Sequence, residues 1–179
     1  MRIGRLIIPL LCVAVLFSGC AISARDHVFK GNQYADKGQF DQAIVEYTKA
    51  IELDSSLVMA YNNRGSAYTE KGEYVKAIAD LTMATELDPE NTLAYYNRSM
   101  AYIHHHEYDS AIADCDKVIE LGLENAFVYY NRGVANGRKK DYDSALADFE
   151  KAIEISSDPL FIKRVESDIS EIEAAKESS

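Results

Sequence analysis

The chain has 179 residues, 47% hydrophobic and 27% charged, with nine Gly, three Pro, twelve Tyr, no Trp and a formal charge of −10. That length makes one domain with enough apolar surface for a core. The low Gly and Pro content and the lack of polar–apolar alternation exclude an extended sheet and favour an all-α fold. An acidic surface also excludes nucleic acid as a partner, because binding it requires clustered Lys and Arg to neutralise phosphates.

The chain opens with Arg2 and Arg5, followed by an unbroken apolar run over residues 6–17 and the small pair Ser18 and Gly19. A run this short behind positive charge reads as a signal peptide over residues 1–19, since a membrane span needs about 20 apolar residues. Phe17-Ser18-Gly19-Cys20 resembles the bacterial lipobox, with Phe17 where Leu is usual. The resemblance implies that Cys20 becomes the lipidated first residue of the mature protein, with residues 20–23 as its tether. Ala21, in place of Asp, implies the outer membrane of the cell envelope, with the protein facing the periplasm. The alternatives are an incidental cysteine beside an ordinary cleavage site and an uncleaved anchor. An extended chain covers at most about 3.5 Å per residue, so this tether holds whatever follows close to the membrane surface. Of the other cysteines, Cys12 falls in the leader and Cys115 on a helical pattern, so no pair remains for a disulfide framework.

From residue 24 the sequence repeats. Gly31, Phe40 and Ala43 recur at a constant step as Gly65, Tyr74 and Ala77, then as Ser99, Tyr108 and Ala111, and again as Gly133, Tyr142 and Ala145. A fixed period of this size means an array of stacked units, here 24–57, 58–91, 92–125 and 126–159. Each unit reads as two short amphipathic helices joined by a turn. In the second unit Tyr61, Gly65 and Tyr68 share one face of the first helix, and Ala77, Ile78, Leu81, Ala84 and Leu87 make the apolar face of the second. Gly65 and Ala77 allow close approach, Gly72 suits a left-handed C-cap, and Pro89 stops the second helix.

These landmarks resemble the tetratricopeptide repeat, or TPR, over residues 24–159. The resemblance implies a right-handed solenoid of four helix-turn-helix repeats whose first helices line a concave, ligand-binding groove.

The units then diverge. The first has His27 for the leading aromatic and Ser55 in place of the proline. In the third, Ser99 replaces glycine at a small cost, and Cys115 takes an inward position as a buried, inert thiol. In the fourth, Asn136-Gly137 replaces an aromatic; both residues are poor in a helix interior, which predicts that this helix frays early. Residues 160–176 carry Phe161, Val165, Ile169 and Ile172 on one stripe and read as a capping helix, with residues 177–179 frayed.

No phosphate loop, zinc spacing or nucleophile motif is present, so the chain reads as a non-enzyme with no cofactor and no metal. His104, His105 and His106 are consecutive, and helical neighbours point about 100° apart, so they do not converge on one ion. The repeat step places them beside Arg138, Lys139 and Lys140, a candidate cationic edge on an acidic protein. The plainer explanation is favourable charge at helix C-termini.

The TPR resemblance projects Arg25, Val28, Asn32, Met59, Asn62, Ser66, Leu93, Tyr96, Met100, Ile103, Phe127, Tyr130, Val134, Gly137 and Arg138 into the groove. Tyr96, Met100, Phe127 and Tyr130 form its candidate apolar anchor. Asn63-Arg64, Asn97-Arg98 and Asn131-Arg132 read as polar contacts between helices. The basic residues of the carboxylate clamp, by which some TPR domains hold chaperone tails, are missing, because Val28, Leu93 and Asn97 occupy their places.

The expected function is a membrane-anchored scaffold or adaptor for a protein or peptide partner. A carrier or sensor of a small ligand or metal, using the groove or the histidine turn, is the alternative.

Overall fold

The computed structural model describes residues 23–178. The leader and Cys20 lie outside the described residues. Within them the chain forms nine helices and no strand: α1 (Ala24–Ala35), α2 (Phe40–Leu53), α3 (Val58–Glu70), α4 (Tyr74–Leu87), α5 (Thr92–His104), α6 (Tyr108–Glu120), α7 (Ala126–Arg138), α8 (Tyr142–Ile155) and α9 (Pro159–Glu177). Each unit is one antiparallel pair, and each pair packs on the next to give an α-solenoid. No helix among the described residues is long and apolar enough to cross a membrane.

Local chemistry sets the helix ends. Ser23 and Asp26 make a reciprocal capping box at the start of α1. The Asn91 and Asn125 side chains accept from the first turns of α5 and α7, and Asp158 does the same for α9, which carries Pro159 in its first turn.

Within each unit the close approach joins a small residue of the first helix to one fixed position on the second. A Cβ on Gly65 would lie 2.6 Å from Leu81 Cγ; on Gly31 it would meet the Tyr47 ring at 2.4 Å, and on Gly133 the Phe149 ring at 2.7 Å. The third unit solves the same contact the other way. Ser99 is fully buried and donates to the Tyr96 carbonyl at 2.7 Å, and the facing position holds the small Cys115. The volume added at one helix is removed at the other, so serine there costs less than the same change elsewhere. Burial pushes the Cys115 thiol up to about 12, which keeps it protonated and unreactive.

A second recurring pair is ionic. Arg64 donates two bonds to Asp80, and Arg98 two to Asp114. Arg132 likewise grips Asp148. Each arginine also reaches the preceding unit, at Thr48, Thr82 and Asp116 respectively. In the first unit Lys30, His27 and Lys49 share Glu46 instead. The arginine thus ties its own second helix to the one before it. These pairs are mostly buried, so they specify register more than they add net stability. Burial pushes the Asp114 carboxyl up, and Arg98 only partly offsets this.

The fourth unit departs from the expectation that its first helix frays. α7 ends at Arg138, as long as α3 and α5. The Asn136 amide donates to Asp148 at 3.1 Å. At Gly137 a Cβ would lie 2.8 Å from Ile172 Cδ1, so α9 packs where a side chain would otherwise stand. Tertiary contacts override the weak helix propensity of both residues. α9 is also longer than the sequence reading, running from Pro159 through Glu177. Its Phe161 and Val165 are buried with Tyr129, Phe149 and Ala152, and Ile169 and Ile172 pack against the same cluster.

Candidate binding groove

Three helices supply most of the groove lining. From α5 come Tyr96, Met100 and Ile103, spaced so that one face of the helix is presented. Phe127, Tyr130 and Val134 continue that lining from α7, one repeat later. The opposite wall is α9, through Phe161, Arg164, Asp168, Glu171 and Ile172. Because α9 packs chiefly on α8, it leaves an opening of about 940 Å³ between itself and the α5–α7 face.

The apolar end is partly closed by its own wall. Phe127 packs on Phe161 with ring centroids 4.7 Å apart, yet it remains 48% exposed. Tyr130 lies against Phe149 and Phe161 and under the Arg164 guanidinium, and its hydroxyl donates to Asp168 at 2.9 Å. Burial, and then the bond to Asp168, pushes the Tyr130 hydroxyl pKa up. Tyr130 is therefore a fastening for the capping helix as well as a groove residue. Burial likewise raises Tyr96, whose hydroxyl stands beside the Asn131 amide. Asn131 itself is buried, and its Nδ2 has no acceptor at hydrogen-bonding geometry.

Of the residues projected into the groove, Tyr96, Met100, Ile103, Phe127, Tyr130 and Val134 come together there, with His104, Gly137 and Arg138 at its far end. Others do not join them. Met59, Asn62 and Leu93 border a separate hollow of about 450 Å³ between α3 and α5. Asn62 is buried, bonded to Asn63 and accepting from Asn97 at 3.0 Å, so it is a rung between helices more than a contact surface. Asn32 accepts from Tyr47 and Asn63. Neither Asn32 nor Ser66 lines either hollow. Val28 is core, in one buried cluster with Ala43 and Tyr47 of α2 and Ala60 and Ala67 of α3.

The cationic edge is smaller than the sequence implied. Lys139 is paired with Asp109, and His105 meets Glu107 at 2.8 Å. His104 stacks on Tyr74 at 5.3 Å, and His106 bonds the Tyr108 hydroxyl. The three imidazoles thus face three different partners. No group of three or more His, Cys, Asp or Glu among the described residues is placed to hold a metal. What remains at the groove is His104, His106, Arg138 and Lys140.

Two elements escaped the sequence reading: Asn131 as an unsatisfied donor, and α9 as a wall. The second had a signal, since Phe161 lies one further repeat step from Phe127 and continues the series Met59, Leu93, Phe127.

The family models for the tetratricopeptide repeat match residues 58–91 and 126–159, and those for the TPR repeat and a further tetratricopeptide repeat match 31–70 and 93–121. No curated relative matches the chain. Among solved structures, MamA is 30% identical with a TM-score of 0.70, covering 74% of this chain and 78% of its own. The first TPR of Spaghetti (RPAP3), bound to the HSP90 peptide SRMEEVD, is 29% identical with a TM-score of 0.62, covering 64% and 93%. The second TPR domain of human RPAP3, in complex with the HSP70 peptide SGPTIEEVD, is 28% identical with a TM-score of 0.60, covering 65% and 94%.

Proposed function

Since the chain belongs to the tetratricopeptide repeat family, we propose that it is a non-catalytic scaffold that captures a peptide or helix of a partner protein between α5, α7 and α9. The observation that carries this reading is the open groove itself, where Met100, Ile103, Phe127 and Val134 line a hollow that no other described part of the chain fills. Structural neighbours with bound peptides support it. Aromatic and aliphatic side chains at the centre of such a surface carry most of its binding energy.

The second part of the proposal is the address. The charged start, the apolar run and Phe17-Ser18-Gly19-Cys20 support a lipid anchor on Cys20 that holds the scaffold on a bacterial envelope membrane, the outer one facing the periplasm. Several acyl chains on one cysteine bind essentially permanently, since each buried methylene contributes about 0.8 kcal/mol.

Both parts are tested on the full chain. Crosslinking in envelope preparations should yield one dominant partner that is lost in Met100→Glu with Ile103→Glu while helicity is retained. Capture that survives this pair places the site elsewhere. Cys20→Ser should release the protein from the membrane fraction, and continued membrane binding would refute the anchor.

A further inference from the structure

The chemistry of the groove changes along α7. At one end Met100, Phe127 and Tyr130 present apolar surface; at the other, Arg138 and Lys140 converge with His104 and His106 from the neighbouring turn. Among the described residues Arg138 and Lys140 have no acidic partner, whereas Lys139 between them is held by Asp109. The carboxylates on the facing wall are Asp168, which accepts from Tyr130, and Glu171. The site is therefore locally cationic on a chain of charge −10.

The backbone singles out the same residues. The turn between the two helices of each unit has one residue with positive φ: Gly38 at 70° and Gly72 at 75°, then His106 at 64° and Lys140 at 65°. A side chain in that conformation is strained where glycine is not. The first two units relieve the strain with glycine, and the two units bordering the groove keep a larger, basic side chain instead. Strain retained beside a concave site is a mark of function. Midway along the groove lies Asn131, a buried amide beside the Tyr96 hydroxyl.

From Phe127 to Arg138 the helix rises about 16 Å, the length of about five extended residues. We propose that the ligand is an extended acidic peptide. One large apolar side chain sits over Phe127 and Tyr130, and carboxylates roughly four or five residues away meet Arg138 and Lys140. The capping helix is then a wall of the site, with Arg164 facing the bound segment. This inference deepens the scaffold reading and rests on it.

The test is selection of a random heptapeptide display library on the full chain in detergent. Enriched sequences should combine a Phe, Leu or Met with two or more Asp or Glu. Arg138→Glu with Lys140→Glu should weaken the best of them about tenfold or more and turn the selection towards basic peptides. His106→Gly with Lys140→Gly should raise Tm and still weaken binding several-fold, a combination that a structural role for these side chains does not produce. Enrichment of basic or uncharged sequences, no enrichment, or acidic peptides indifferent to charge reversal overturns the inference. So does self-association of the full chain that the reversal abolishes, which would assign the groove to a second copy. If crosslinking still captures a partner while the selected peptides are basic, the scaffold reading stands and only the acidic ligand falls. If neither method yields a ligand, both fall.

Discussion

The first two units and the last two occupy equivalent positions with different residues, and the contrast separates what the solenoid needs from what the groove needs. Equivalent positions in successive units read Val28, Asn62, Tyr96 and Tyr130. The first is core, the second a hydrogen-bonded rung, and the last two line the groove. The left-handed turn position reads Gly38, Gly72, His106 and Lys140. In the N-terminal half each choice favours the fold, while in the C-terminal half two choices oppose it. That gradient locates the binding surface more sharply than apolar content alone, because apolar residues are also exposed in the first half, as at Phe29 and Met59.

The contrast makes graded predictions. The largest lies at the second-helix residue that faces the small residue of the first helix. Phe149→Ala should cost about 4 kcal/mol of unfolding free energy, because a fully packed ring leaves a cavity. Cys115→Ala at the equivalent place should cost only about 1 kcal/mol. Urea melts of the two variants decide it, and equal losses would mean that the third unit is not packed around a smaller contact.

Next comes Arg98→Ala, which strands Asp114 in a buried site and should cost about 3 kcal/mol. Arg98→Met with Asp114→Leu should recover most of that loss by the same melts. Gly133→Ser follows, at about 2 kcal/mol, since its Cβ would press into the Phe149 ring. Combining it with Phe149→Cys, to copy the Ser99–Cys115 pair, should cost less than the two single changes added together. A double variant no better than the sum of its singles would remove compensation as the reason Ser99 is accommodated.

His106→Gly and Lys140→Gly should each gain about 1 kcal/mol, by release of left-handed strain. The same change at Lys37 or Lys71, one residue earlier in the first two turns, should gain nothing, because the neighbouring glycine already takes the strained conformation.

The first unit also makes stability depend on pH in the acid range. Burial would raise Glu46, but its bonds to His27, Lys49 and Lys30 outweigh this and hold it at about 2, against 4.5 for an ordinary glutamate. A depressed folded value means that the stabilisation is complete above pH 4.5 and is lost as the pH falls from there through about 2. Glu46→Gln should flatten the pH dependence of the urea midpoint in that window and leave the Phe149 contact untouched. An unchanged profile would show that the cluster around Glu46 is not formed in solution.

The array was legible in the sequence because its constraints are local and periodic. Gly65 with Ala77, Gly72 in its turn and Pro89 after α4 each announce a helix end or a close approach within one unit, and the constant repeat step multiplies the signal. The groove was legible in part: Tyr96, Met100, Ile103, Phe127, Tyr130 and Val134 follow from which face of the first helices is left over. The Asn136-Gly137 pair was misleading, because propensity counts only the chain's own preference and misses Asp148 and Ile172 arriving from other helices.

The amino-acid order by itself determined the all-α class, the four units and their register, since period and small-residue spacing leave one way to stack them. Only the tertiary structure decided which exposed faces become a site. It turned Val28 into core, closed Tyr130 against the capping helix, drew Lys139 away to Asp109 and left Asn131 without an acceptor. The physical reason is that a repeat writes the same contact at each step, whereas a groove is made by the ends of the array and the side chains that its stacking leaves unmatched.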